Sequence, residues 1–310
     1  MRSFWWPVWS ILLLIPAFVH GAFYLNFLIM AHIYAIYVLG WDFVAGVGGE
    51  ICGGQALAFG GAAYLAGFLG LAGMSPPLVL VCAPAAAAVL GLAVGLLGFR
   101  LTGVPFLLVT LVLGEAAYET ALAWAGTGPR GLALGGENGL PVPGLAAPEH
   151  AWALYYYLTL VLLALAVWGL IRFKASLPGT RMLAVKSDPT AAGAIGLNPG
   201  IQRAAAFGLG FLVSGTAGTL YAQFTGAATP GALSLELSFA AVTLSMAGGT
   251  GTLVGPAAAA YALNVLFGWL MWPSYWNAAL YAAVVVAVAR LAPGGLRLSA
   301  RRWRQWTCFR

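Results

Sequence analysis

The feature that most constrains this chain is a succession of apolar runs, each close to the length of a bilayer-spanning helix and almost free of charge. Residues 8–25, 28–45, 56–73, 78–98, 104–125, 152–172, 205–225, 257–273 and 277–292 read this way, with a shorter run at 235–249. A spanning helix needs roughly 20 apolar residues, so a chain of this length with short connections accommodates roughly eight to ten. Only 7% of the 310 residues are charged and mean hydropathy is +0.91, where a soluble domain carries about 25% charge. The runs are continuous rather than alternating, and far longer than the ~10-residue strands of a membrane barrel. The expected fold is therefore all-α: one polytopic transmembrane helical bundle over residues 1–310, with a polar loop at 173–204 and a basic tail at 293–310.

Orientation follows from where the positive charge lies. Placing 173–204 in the cytoplasm puts thirteen of the fourteen Lys/Arg residues inside and leaves only Arg130 outside. The opposite orientation violates the positive-inside rule, so both termini are expected to be cytoplasmic. Arg2 and the first apolar run resemble a signal peptide, but the run lacks a small-x-small cleavage site and reads as a first spanning helix. Cys52, Cys82 and Cys308 lie far apart without CxxC spacing and read as small packing residues rather than a disulfide or metal site. No HExxH, Ser/His/Asp or paired-carboxylate constellation and no Gly-Lys-Ser/Thr phosphate loop is present, so the sequence carries no visible catalytic or nucleotide site of its own. Neither a metal nor a cofactor is expected in the chain, and no nucleic acid is expected among its partners.

The aromatic groups Trp5/Trp6/Trp9, Trp152/Tyr155/Tyr156/Tyr157 and Trp272/Tyr275/Trp276 fall near span ends and are expected to anchor at the lipid headgroups. Small residues recur every fourth position at Gly210, Ser214, Gly218, Ala222 and Gly226, and again at Ala83, Ala87, Gly91 and Gly95. That spacing lets helix backbones approach closely, the main packing device where lipid removes the hydrophobic drive. The loop from Gly126 to Ala151 is too short for a domain and is expected to pack as a cap over the outer ends of the spans.

Two Gly-rich interruptions, Gly46–Gly61 and Ala247–Pro256, break apolar segments, one in each half of the chain. Such breaks are tolerated at membrane depth only where protein or a water-filled cavity surrounds them, and they point to a translocation site. Candidate pathway residues are Gly49, Glu50, Gly54, Gln55, Glu115, Gly249 and Gly251; the freed amides of Gly49, Gly53, Gly54, Gly249 and Gly251 could serve an anionic group. The plainer alternative is a pair of tight cytoplasmic turns. Glu115 and Glu119 share a helical face inside a span, which suits a proton relay, a polar pathway or interhelical hydrogen bonding. Asp42, Glu50 and Glu236 sit near expected span ends and call for no special account.

Within the polar loop, Asp188-Pro189 is a helix start, with Asp at the cap and Pro in the first turn. Gly196 supplies a stop, and Asn198-Pro199 is expected to prevent the helix from resuming. The resulting two-turn helix follows an amphipathic turn through Arg181, Met182 and Val185. A helix so short is unstable alone, so it must pack on its own bundle or on a partner.

The run Thr190-Ala191-Ala192-Gly193-Ala194-Ile195-Gly196 resembles the Glu-Ala-Ala-x-x-x-Gly coupling loop of ABC importer permeases. The likeness to branched-chain amino acid permeases extends over most of the chain. It takes in Gly46–Tyr64, Arg100-Leu101-Thr102-Gly103 with Thr110-Leu111, Leu134–Leu140, Ser214–Ala222 and Gly248–Pro256. It implies a permease subunit that imports leucine, isoleucine or valine across a bacterial inner membrane. Two ATPase subunits binding ATP and Mg, a sister permease and a periplasmic or lipid-anchored binding protein would be its partners. Arg181, Asp188, Thr190, Ala191, Ala192 and Gly196 would then form the contact with an ATPase. Urea or a related small amide is the alternative substrate within this resemblance, and a proton-coupled secondary transporter using Glu115/Glu119 is the alternative outside it. The chain departs from the family pattern at Thr190, where an acidic residue is usual, at Glu50, Cys52 and Gln55, where Gln, Ser and His are usual, and at Pro105, which replaces an aromatic.

Overall fold

The computed structural model describes residues 22–97, 101–123, 136–145 and 151–270. The expected span 277–292, most of 8–25, the tail 293–310 and the terminal Trp/Tyr groups lie outside the described residues. Helix α1 (Ala22–Phe43) continues through a π-helical turn, Val44–Gly48, and ends at Gly49. Then come α2 (Ala56–Leu71), α3 (Pro76–Leu96), α4 (Val104–Ala123), α5 (Ala151–Ala175), α6 (Leu177–Ser187), α7 (Pro189–Ala194) and α8 (Pro199–Thr225). The last two described helices are α9 (Leu235–Gly248) and α10 (Val254–Leu270). Two residues of β1 (Leu140–Pro141) pair antiparallel with β2 (Ala227–Ala228). Among the described residues five helices, Tyr24–Gly48, Pro76–Leu96, Val104–Ala123, Trp152–Ala175 and Pro199–Thr225, are long and apolar enough to cross a membrane; α2, α9 and α10 are apolar but shorter. The protein is a polytopic transmembrane helical bundle.

Helix α8 is the axis of packing, and its small residues explain why. A Cβ on Gly218 would stand 1.9 Å from Phe59 O of α2, and one on Gly210 would stand 2.7 Å from Gly40 O of α1. On the third side, Gly91 and Gly95 of α3 admit Phe207, Phe211 and Ala204. The small-residue stripes are therefore internal packing faces, as expected, except that Gly226 ends α8 in the left-handed region (φ +77°) with no atom near its Cβ position.

Two local expectations change. Asn198-Pro199 starts a helix rather than merely preventing one: Asn198 Oδ1 accepts from the amides of Gly200 and Ile201, and α8 begins six residues earlier than its apolar run at 205. A side-chain cap followed by Pro satisfies the first amides of whatever helix follows, whether or not the next residues are apolar. Tyr155 and Tyr156 are not headgroup anchors. Both are buried on the inner face of α5; the Tyr155 hydroxyl donates to Gln223 O and accepts from Leu145 N, and Tyr156 packs edge-on against His32. Only Tyr157 of that trio is exposed.

The loops sort to two ends. At one, Gln223 reaches Pro76 O at the start of α3, Val142 N donates to Gly226 O, and Pro143 fills the space beside Gly70. The described part of the 126–151 loop thus does pack over the ends of α2 and α8. At the other end lie residues 44–50, 101–103, 249–253 and the polar segment 173–204, which carries the lysines.

Candidate functional site

The two Gly-rich interruptions form two distinct structures. After α1 ends at the lysine-bearing end, residues 49–55 run back into the bundle without helical hydrogen bonding, and α2 starts only at Ala56. The depth is fixed by Gln55, whose Nε2 donates to Ser214 Oγ at 2.6 Å. Ser214 lies eleven residues before the end of α8, about 17 Å along the helix axis. The polar groups of this extended stretch are met by side chains. Trp41 Nε1 donates to Cys52 O (2.9 Å), Gly53 N donates to Thr110 Oγ1 (3.0 Å), and Ala56 N donates to Ser238 Oγ (2.9 Å). That satisfaction is the condition for non-helical backbone inside a membrane. Gly54 is required here, because a Cβ would stand 2.0 Å from Thr110 O of α4.

Ser238 lies one turn into α9, so the first turns of α2 and α9 meet in the middle of the bundle. Tyr37 Oη adds a link from α1, donating to Leu237 O. Two acceptors of this central region have no hydrogen-bond partner among the described residues: Gln55 Oε1, on a fully buried side chain, and Glu115 Oε2, whose residue follows the Gly114 packed on Gly54. Glu119 is exposed one turn further along α4.

The second interruption makes a tight turn, Gly249–Leu253, between α9 and α10. Their backbones touch at Gly248 and Gly255, where a Cβ on Gly255 would stand 2.0 Å from Gly248 O. Asp42 organises this turn. It is fully buried near the end of α1 and accepts from Gly251 N at 2.6 Å, Ser245 Oγ at 2.8 Å and Leu253 N at 2.9 Å. Leu253 (φ +64°) is the one non-glycine residue among those described that is held in the left-handed region, a conformation that persists only where its surroundings fix it. Gly46 packs directly on this turn, since a Cβ there would stand 2.4 Å from Gly251 Cα.

Both lysines of the chain converge on the same place. Lys174 Nζ, at the end of α5, donates to Gly251 O. Lys186 Nζ, at the end of α6, donates to Gly46 O at 2.6 Å and Ala45 O at 3.1 Å, carbonyls in the last turn of α1. A cation is favoured there by the helix dipole and the unpaired carbonyls. Burial pushes the Lys186 ammonium below its ordinary pKa; Asp42 opposes that shift and Lys174 adds to it. A third tie runs from the start of α8: Arg203 Nε pairs with Glu50 Oε1 at 3.1 Å, and Glu50 Oε2 accepts from Gly103 N before α4. This pair is nearly buried, so removing either partner strands a charge.

Helix α7 stands apart from this packing. Asp188 Oδ1 accepts from Thr190 N and Ala191 N, the two-bond cap that the Asp-Pro start implies, and Gly196 ends the helix at φ +83°. Only Ala192 is buried; Arg181, Asp188, Thr190, Ala191 and Gly196 are exposed, and Ile195 is 75% exposed.

The sequence-derived site residues thus fall into three places. Gly54, Gln55 and Glu115 lie in the central region; Gly49, Glu50, Gly249 and Gly251 lie at the lysine-bearing end; the 181–196 group lies on the exposed outer side of that end. The backbone amides offered as anion donors are already used in part: Gly53 N by Thr110, Gly249 N by Met246 O and Gly251 N by Asp42. Asp42, Lys174, Lys186 and Arg203 were missed as site residues. Asp42 does require an account, because its carboxylate is what orders the second interruption. The available signal was that the chain has just two lysines and both flank the same polar helix.

A membrane bundle with two interrupted segments, one reaching its centre, and an exposed capped helix at one end suits a solute permease. The chain belongs to the family described as branched-chain amino acid transport system / permease component, which matches residues 23–289. It is thus a multi-pass transport subunit of the ABC permease type, a class that works with partner components. Comparison with curated proteins gave no match, and comparison with solved structures gave none either.

Proposed function

We propose that this chain is the permease subunit of an ATP-driven importer that carries leucine, isoleucine or valine across a bacterial inner membrane, with both termini in the cytoplasm. In this reading two ABC ATPase subunits bind ATP and Mg, a sister permease completes the pore, and a periplasmic or lipid-anchored binding protein delivers the amino acid. The observation that carries it is α7, a capped two-turn helix on the surface, apolar at Ile195, in a chain of this family. Arg181, Asp188, Thr190, Ala191, Ala192 and Gly196 form or shape that contact surface. An ATPase whose closure engages α7 differently in two states biases the bundle between them; a partner without differential contacts would shift nothing.

The central region is the pathway. Gly54, Gln55 and Glu115 border the meeting of α2 and α9, and the two unpartnered acceptors there suit a solute that donates N–H groups, as an amino acid or a small amide does. Gly49, Glu50, Gly249 and Gly251 belong to the joint beneath it. The test is competition uptake by the reconstituted transporter: labelled leucine challenged with excess valine, urea and ribose. Displacement by valine alone supports the branched-chain reading; displacement by urea alone moves the assignment to small amides. Uptake driven by a pH gradient without ATPase subunits would replace it with a proton-coupled carrier, for which the unpartnered Glu115 Oε2 is the residue to examine.

A further inference from the structure

We propose that Lys186 is a tether that makes the end of α1, and through Asp42 the 249–253 turn, follow the α6–α7 segment. The inference rests on the proposed role of α7 as the ATPase contact and adds the route by which its displacement reaches the interrupted helices.

The route is continuous. Helices α6 and α7 are joined by Asp188 alone, whose amide donates to Ala184 O of α6 while its side chain caps α7, so the two move as a unit. From α6, Lys186 makes three contacts with the end of α1. Its ammonium donates to Gly46 O and Ala45 O, and its Cβ and Cγ occupy the space a Gly49 side chain would take, 3.0 and 2.9 Å from that Cβ position. Gly46 rests on Gly251, and Asp42, one turn back in α1, holds the amides of Gly251 and Leu253. Lys174 fixes the opposite side of the turn through Gly251 O. The turn ends α9, whose first turn meets the first turn of α2 in the central region. Every link is a hydrogen bond or a backbone contact too close to admit a side chain. A shift of α6 is therefore conveyed rather than absorbed. Lys186 acts here as a positioning residue; it touches no solute.

The experiment uses the complete transporter, reconstituted with its ATPase subunits, sister permease and binding protein, in a parent with Cys52, Cys82 and Cys308 replaced by Ser. Uptake and ATP hydrolysis are read together. K186M is expected to keep its ATPase subunits on purification and its ATP hydrolysis within about two-fold, while uptake per ATP falls at least about ten-fold, a loss of about 1.4 kcal/mol of coupling. The pair G49C/K186C then distinguishes a tether from a merely structural residue. Both positions are exposed, and their Cβ separation needs to open by less than ~1 Å to reach disulfide geometry. Reduced, the pair should resemble K186M; oxidised, it should regain uptake to within about three-fold of the parent, and reductant should abolish it again. Unchanged uptake per ATP in K186M, or an oxidised pair no better than the reduced one, overturns the tether. If G49C prevents folding, K186R against K186M decides: rescue by the cation upholds the tether, equal loss overturns it. A parent that shows no ATP-dependent uptake defeats the importer reading itself, a result distinct from any difference among these variants.

Discussion

Asp42 gives the sharpest quantitative expectation. Replacing it with Ala removes the acceptor for Ser245 Oγ, Gly251 N and Leu253 N together. The three losses are not equal. Ser245 can turn its hydroxyl back to a carbonyl one turn earlier in α9, and Gly251 is only half-buried and can find water. Leu253 is fully buried, so its amide is left without a partner. A buried unsatisfied donor costs about 1–3 kcal/mol, and a hydrogen bond to a charged group contributes about 1.5–3 kcal/mol. Leu253 also holds a left-handed conformation costing about 1–2 kcal/mol that its contacts must sustain. Taking one full loss and partial replacement of the others, D42A should destabilise the protein by about 3 kcal/mol.

At about 2 °C per kcal/mol for a chain of this size, that is a Tm lower by about 6 °C. D42N should fall between, because its amide must turn an NH2 either toward the Leu253 amide or toward two other donors. S245A, which loses one replaceable bond, should shift Tm by about 2 °C. The measurements are thermal unfolding of the detergent-purified permease and hydrogen exchange across the 249–256 peptide. If D42A shifts Tm no more than S245A and leaves exchange in that peptide unchanged, the carboxylate does not anchor the turn.

Gly196→Val meets no neighbouring atom, so its cost is the left-handed backbone alone, about 1–2 kcal/mol confined to the end of α7. Such a variant should insert normally yet lose uptake relative to ATP hydrolysis, and unchanged uptake would count against α7 as the ATPase contact. Gly218→Ala drives a methyl onto Phe59 O and should cost several kcal/mol in α2–α8 packing, seen as aggregation on size-exclusion chromatography. Gly169→Ala, with nothing within 4 Å, should be neutral. The Lys186 ammonium has its pKa lowered by burial, so its charge is present below that pKa and is lost as pH rises through it, before the ordinary lysine range. Between the two values the unfolded chain holds the extra proton, so stability rises with pH there. Uptake per ATP should nevertheless decline on the alkaline side, and K186R, which stays charged, should move that decline to higher pH.

Much of this was legible because it is local. The apolar runs mark most of the described helices, although α1 runs unbroken from Ala22 across the expected division between 8–25 and 28–45, and Asp188-Pro189 with Gly196 fixes both ends of α7 from information within nine residues. The small-residue stripes mark the faces of α8 and α3 because four-residue spacing is a property of one helix. What escaped the sequence depends on partners far along the chain. Asp42 looks like an ordinary span-end carboxylate until residues 251 and 253 fold onto it, and Glu50 until Arg203 does. Tyr155 and Tyr156 carry the composition of a headgroup belt, but the face they occupy on α5 turns them inward to His32 and Gln223. Asn198-Pro199 was ambiguous in principle, since the pair that blocks one helix is also a good cap for the next.

The same distinction explains how a broken membrane helix can be both stable and movable. Residues 49–55 have given up helical hydrogen bonds, and in lipid each unpaired group would cost several kcal/mol. Here the backbone replacements come from Trp41 of α1 and Thr110 of α4, while Ser214 of α8 holds the Gln55 side chain and Ser238 of α9 accepts from the amide of Ala56 that follows. A regular helix moves as a rod because its bonds are internal, whereas a stretch bonded to four neighbours changes whenever one of them shifts. The 249–253 turn is tied in the same way to α1 and α5 through Asp42 and Lys174, and Ser245 of α9 donates to the same Asp42 carboxylate. Two segments whose backbone bonding is shared among helices therefore sit on either side of the α9 helix. A shift delivered at the lysine-bearing end has to be answered at the centre of the bundle, where the first turns of α2 and α9 meet.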